Sequence, residues 1–373
     1  MKFSVKKSDI LDVLSKVQGI TGRKSNLAIT TSVLIRVSDS RLQLVATDLE
    51  TGFEGEYPAV VESEGTVAIN SRKLFEIVRD FPSDDILLDE VDNHWVKIGN
   101  ENVEYHIMGM NPDDFPDIPF IEEVEFYEFD SLALKKMIEK TSVIVGATDD
   151  KRAHIVGNFL ERVDDGGTCA VRMVSTDGSR LATVDIAYDS GEQPPFAPGI
   201  LVPKKGLTDV GKFLSTEGTV KLGLKDNKLI FKKKTETIII RLLEGDFPDY
   251  RGIVVRDESG HHLKLDKSMF LMMLKRMSIL SSEDYRGVIF NFADDKLVIN
   301  STNPDIGESK EDMDIDFTGE PIQVAFNPKF FIDSLHVIED DVIILDIIDE
   351  ERPCLVMGET DQSYLSVIMP MRI

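Results

Sequence analysis

The chain has 373 residues and a formal charge of −25, with 42 Lys and Arg against 67 Asp and Glu. Its 42% apolar and 29% charged content is that of a globular protein, and its length exceeds one ordinary core, which excludes wholesale disorder and points to two or three domains. No run approaches the ~18 apolar residues of a membrane helix, and the start MKFSVKKSD lacks the apolar core of a signal peptide.

In chain order, MKFSVKKSDILDVLSKV predicts a short strand and then a helix, with apolar residues at 10, 11, 13, 14 and 17. A β-rich stretch holding LQLVATDLE follows, then a second amphipathic helix in NSRKLFEIVRDF and a closing extended segment, YHIMGMNPDDFPD. The same four landmarks return as VEFYEFDSLALKKMIEKT, VRMVSTDGSR, VPKKGLTDVGKFL and IIIRLLEGDFPDY. They return again as LKLDKSMFLMMLKRM, LVINSTNPD, NPKFFIDSLHVI and YLSVIMPMRI. Three tandem α+β repeats, each with two helices and about eight short strands in antiparallel sheets, fill the chain. PDIPFIEEVE and RDESGHH read as linkers and set the expected domains at 1–122, 123–255 and 256–373.

The charge is unevenly placed. The predicted helices (8–17, 72–80, 131–141, 204–214, 267–277 and 327–337) hold fourteen Lys and Arg against seven Asp and Glu. Acidic residues crowd strands and loops such as PSDDILLDEVDN and VIEDDVIILDIIDEE. Such asymmetry suits one face built for a polyanion on a body that repels it elsewhere. The plainer alternative is that Lys and Arg are good helix formers and solvate an outer face.

Motifs of catalysis do not occur: there is no GxxxxGK[ST], GxGxxG after a strand, HExxH or GxSxG. The six histidines are scattered, and His261 and His262, as strand neighbours, point to opposite faces and cannot share an ion. Asp177, Ser179 and Arg180 in TDGSRL have no nearby base. The expectation is a non-enzyme without metal or cofactor, and Cys169 and Cys354, lacking CxxC spacing, fit reduced thiols in a cytoplasm.

The repeat, the basic helices and the pieces TDGSRL (176–181), VPKKG (202–206), GDFPDYR (245–251), YRGV (285–288) and the terminal MPMRI (369–373) together resemble the bacterial DNA polymerase III beta subunit family of replicative sliding clamps. The resemblance covers the whole chain. It implies a head-to-tail homodimeric ring of six similar domains, its helices lining a hole for duplex DNA held without sequence preference. It also implies a groove between the second and third domains that takes short motifs of the polymerase catalytic subunit, the clamp loader and other factors, in a bacterial, nucleoid-associated cytoplasmic setting without a membrane.

By motif, the resemblance puts Arg23, Lys24, Arg72, Lys73, Arg79, Lys136, His154, Lys204 and Lys205 near DNA. The groove would be lined by Ile155, Thr176, Gly178, Ser179, Arg180, Leu181, Pro248, Tyr285, Asn327, Phe330 and Pro353. From the end of the chain Val367, Ile368, Met369, Pro370, Met371, Arg372 and Ile373 would join them, Met side chains adapting to varied ligands. The dimer interface would join Tyr105 and Ile107 to Ile279 and Leu280. Two departures stand out, Gly252 after PDYR where relatives often carry Arg and NLAIT (26–30) where a Pro is common; Ala153 and His154 also stand where an aromatic that helps hold DNA is often found. An acidic scaffold that binds peptides without surrounding DNA is the alternative from another class.

Overall fold

The computed structural model describes residues 1–22, 27–117, 123–144, 146, 150–165, 168–188, 194–257, 259–280 and 287–372. The first repeat contains β1 (Lys2–Lys6), α1 (Lys7–Thr21), β2 (Ser32–Ser38), β3 (Arg41–Thr47), β4 (Thr51–Pro58), β5 (Val60–Ser63), β6 (Gly65–Asn70), α2 (Ser71–Asp80), β7 (Asp85–Glu90), β8 (Trp95–Gly99) and β9 (Glu104–Met108). The second contains β10 (Phe126–Asp130), α3 (Ser131–Ser142), the single turn α4 (Ala153–Val156), β11 (Gly157–Asp165), β12 (Thr168–Thr176), β13 (Arg180–Ala187), β14 (Ile200–Pro203), α5 (Lys204–Phe213), β15 (Thr219–Lys225), β16 (Lys228–Lys233) and β17 (Glu236–Arg241). The third contains β18 (His261–Asp266), α6 (Lys267–Met277), β19 (Val288–Ala293), β20 (Lys296–Asn303), β21 (Gly307–Asp314), β22 (Ile322–Phe326), α7 (Pro328–Val337), β23 (Val342–Ile347), β24 (Cys354–Gly358) and β25 (Tyr364–Ile368).

All six expected helices are present, for the reasons their spacing gives. Ile10, Val13, Leu14 and Val17 of α1 are buried as one stripe. Asn70, Asp266 and Asn327 cap α2, α6 and α7 by accepting the N–H of Lys73, Met269 and Lys329. Tight hairpins at Asp39–Ser40, Asp226–Asn227 and Asp294–Asp295 hold both turn residues at positive φ, which matches the right-handed twist of the strands they join.

The sheets do not respect the repeats. The strand orders are β5-β1-β7-β8-β9, β10-β15-β16-β17-β4-β3-β2-β6, β14-β11-β12-β13-β25-β24-β23-β18 and β21-β20-β19-β22. The two eight-stranded sheets are each completed across a repeat boundary, one by β17 on β4 (Ile240 opposite Thr51) and one by β25 on β13 (Ile368 opposite Arg180). The chain accordingly forms two compact units, residues 1–135 with 205–242 and residues 136–204 with 243–373. The middle repeat contributes strands to both.

Candidate partner-binding groove and basic helices

In the second unit, the turn between β12 and β13 is built by its own side chains. The Thr176 hydroxyl donates to the Arg180 carbonyl (2.7 Å) and accepts the Gly178 N–H (3.1 Å), while Asp177 accepts the N–H groups of Ser179 and Arg180. Gly178 sits at φ 91°, where a glycine incurs no steric cost. Gly178 and Ser179 are exposed at the tip, whereas Arg180 is buried.

Three groups share the Arg180 guanidinium. It donates to Asp177 (2.9 Å), to Asp333 on α7 (2.8 Å) and to the Val143 carbonyl (3.3 Å), and it lies 4.4 Å from the centre of the Phe330 ring. A buried cation so fully paired is a fixed wall and not a free hook for carboxylates.

The chain end is pinned at two points. Met369 N–H donates to the Ser179 carbonyl (3.1 Å) and Met371 N–H to the Ala325 carbonyl (2.8 Å), so the last residues run from the β13 sheet to the β22 sheet. Met369, beside the turn, and Met371, beside β22, each remain 37% exposed. Opposite them, the segment after β17 crosses the sheet: Phe247 stacks on Phe159 at 5.0 Å, Tyr250 donates its hydroxyl to buried Glu161, and Arg251 donates to the same carboxylate at 2.8 Å. Burial and that carboxylate hold the Tyr250 phenol well above its ordinary range.

Of the expected groove residues, Thr176, Gly178, Ser179, Arg180, Asn327, Phe330, Met369, Pro370, Met371 and Arg372 belong to this turn, α7 or the chain end. Ile155, Leu181, Val367 and Ile368 are buried; Leu181 and Val367 pack with Val174, Tyr250 and Leu355, so they support a floor and do not face a ligand. Pro248 is exposed on the crossing segment. Pro353 lines a neighbouring cleft of about 670 Å³ with Ile253, Val255 and Leu355. Asp333, Phe247 and Tyr250 were missed; the motif GDFPDYR pointed at the last two, while nothing local in the sequence marks Asp333. Tyr285 and Ile373 lie outside the described residues.

The basic helices divide into two kinds. Arg72 and Lys73 stand exposed on α2 with both charges on Glu76 (3.1 and 2.9 Å), Arg79 pairs with Asp80, and Lys136 pairs with Glu339 at 2.8 Å. Lys205 is exposed. Such exposed pairs are weak and exchange readily for a phosphate. Other helix cations are committed inside: Lys16 to Glu236, Lys140 to Asp361 and Lys267 to the Ile338 carbonyl.

Lys204 and His154 also depart from expectation. Lys204 donates to the Thr176 carbonyl at 3.1 Å, because the first residue of α5 starts beneath that turn. His154 packs edge-on to Phe247 at 6.3 Å, on the groove's aromatic side. Arg23 and Lys24 lie outside the described residues. Tyr105 and Ile107 lie on β9, an edge strand, with Ile279 and Leu280 just after α6; Ile279 is 74% exposed.

Repeats that lend strands to one another across their boundaries define a DNA-clamp fold. Models of the DNA polymerase III beta subunit N-terminal, central and C-terminal domains match residues 1–119, 128–249 and 254–372. The chain belongs to the DNA polymerase III beta subunit family. The beta sliding clamp of Chlamydia muridarum is 28% identical over 100% of this chain and 99% of its own length. The DNA polymerase sliding clamp from Caulobacter crescentus is 26% identical, with a TM-score of 0.91 and 100% of both chains covered. A Pseudomonas aeruginosa sliding clamp solved bound to griselimycin is also 26% identical, with a TM-score of 0.88 and 100% of both chains covered.

Proposed function

We propose that the chain is a non-catalytic sliding clamp: a homodimeric ring that encircles duplex DNA, tethers the replicative polymerase and exchanges partners at the groove described above. Family membership supports this reading, and one structural observation carries the ring. The backbone bonds from Met110 to Ala68, Leu243 to Leu201 and Met371 to Ala325 are equivalent, which makes Ile107, Ile240 and Ile368 equivalent positions. Ile240 and Ile368 are 0% exposed, each covered by the neighbouring repeat's strand. The strands that would repeat the arrangement a third time are β9 and β21, both at sheet edges.

The turns beginning at Thr47, Thr176 and Thr302 make Thr51, Arg180 and Ile306 equivalent. Thr51 and Arg180 are 2% and 6% exposed, whereas Ile306 is 62% exposed. An edge strand with bare apolar residues calls for a partner. A second copy would supply it, β9 of one protomer pairing with β21 of the other so that Ile107 meets Ile306 and Tyr105 meets Glu308; Ile279 and Leu280 complete that surface. Head-to-tail contacts of this kind close into a ring when the rotation permits.

Around DNA, the exposed cations of the helices, Arg72, Lys73, Arg79, Lys136 and Lys205, touch phosphates only. Such contact carries no sequence information and allows sliding. The domains of this reading are 1–122, 123–255 and 256–373. The polymerase catalytic subunit, the clamp loader and other motif-bearing proteins take turns at the groove, in the cytoplasm where the chromosome lies. Retention after loading tests the reading: the protein should stay on circular DNA and leave once that DNA is cut, and equal loss from both forms would sink it. A monomeric solution mass at micromolar concentration would sink the ring.

A further inference from the structure

The three repeats start their second helix at equivalent positions, three residues after Ala68, Leu201 and Ala325. Those positions hold Ser71, Lys204 and Pro328. Ser71 is wholly buried and accepts from Gln18, and a proline at this place has no side-chain donor to offer. Only the repeat whose β-turn borders the groove carries a cation there. Its ammonium donates to the Thr176 carbonyl at 3.1 Å, from outside the turn, and among the described residues Asp177 and Arg180 are charged groups that act on it.

We propose that Lys204 is a positioning residue of the groove: by holding the Thr176 carbonyl it fixes the 176–180 turn in the form that offers the Ser179 carbonyl to the chain end and the Arg180–Phe330 wall to a bound motif. This rests on the groove reading above. The linkage is short. Thr176 anchors both Gly178 N–H and the Arg180 carbonyl through its hydroxyl, and Ser179 accepts Met369 N–H, so a shift of the Thr176 peptide moves both the exposed tip and the methionine beside it.

Burial pushes the Lys204 ammonium down to about 8, with Arg180 adding to the fall and Asp177 opposing it. The two pH consequences have opposite signs. A Lys pKa lowered by folding weighs against stability below about 8, and that penalty lifts as pH rises toward the unfolded value. Motif binding, which uses the charged donor, weakens over the same range. A lysine that served stability alone would not separate them.

The test uses the full-length protein and a fluorescein-labelled peptide carrying the clamp-binding motif of the polymerase catalytic subunit. At pH 7, Lys204→Met should weaken peptide binding about tenfold, the worth of one charge-assisted hydrogen bond, with retention on circular DNA unchanged and a melting temperature no lower than the native one. Lys204→Arg should restore most of the affinity. The native protein should lose affinity between pH 7 and 9.5, and Lys204→Met should show no such fall. Deleting residues 369–373 is the control: if that deletion abolishes binding but Lys204→Met leaves it intact, the positioning role is overturned while the groove stands. If neither change affects binding, the groove itself is misplaced. Faster escape of Lys204→Met from circular DNA would also overturn the role, making Lys204 a DNA contact.

Discussion

The two strand joints share a backbone and differ in what their side chains do. At β4–β17, buried Glu236 accepts from Lys16 (2.8 Å) and from the Tyr57 hydroxyl (2.6 Å), a polar latch across the repeat boundary. Burial and Glu236 together push the Tyr57 phenol up. At β13–β25 the boundary is also crossed by ion pairs, Lys140 to Asp361 (2.7 Å) and Arg180 to Asp333 (2.8 Å), but beside them Tyr250, Leu355 and Val367 form an apolar cluster and Met369 and Met371 stay partly exposed. The turns differ likewise: Leu49 and Gly178 both have positive φ, 78° and 91°, but only the glycine reaches it without steric cost. One joint is closed and structural. The other keeps the same hydrogen-bonded frame and borders the candidate groove.

Removing the chain end is the strongest way to break this contrast. Deletion of 369–373 should abolish motif binding, a loss beyond 100-fold in titration, while the oligomeric state in solution stays that of the intact protein. The latch should fail differently: Glu236→Ala strands the Tyr57 hydroxyl and leaves Lys16 with Asp12 alone (2.6 Å), and we expect about 2 kcal/mol lost in urea unfolding with motif affinity unchanged. A latch worth under about 0.5 kcal/mol would erase the distinction between the joints. Exchanging turn residues gives the smallest effects. Leu49→Gly should be neutral or stabilise by up to about 1 kcal/mol, and Gly178→Ala should cost about 1 kcal/mol, both read from thermal melts. Equal responses at the two turns would mean that the strain at Leu49 is relieved by its surroundings.

Helices and repeats were legible in the sequence because their signals are local. The stripe Ile10, Val13, Leu14, Val17 and the caps Asn70 and Asn327 lie within a few residues of what they control. Sheet continuity was not legible, since Ile240 finds Thr51 and Arg180 finds Ile368 across nearly 190 residues of chain. For the same reason the helix cations were overcounted. Lys16, Lys140 and Lys204 look like Arg72 and Lys73 in a composition count, yet each is claimed by an acceptor that the sequence keeps far away. The turn residues 176–181 stand together in the sequence as in the structure because they bond mainly to one another, but Asp333, the distant partner of Arg180, left no trace nearby.

The division of the middle repeat between two sheets has a consequence for how such a chain can be cut or can fold. A fragment spanning 128–249 would carry a complete sequence repeat and two unfinished sheets, with β17 and β13 both turned into open edges. Open edges recruit strands from any chain that offers them. The sequence repeat is therefore not the compact unit here: each unit joins two stretches of chain, 1–135 with 205–242 and 136–204 with 243–373, where the chain returns to finish what it began.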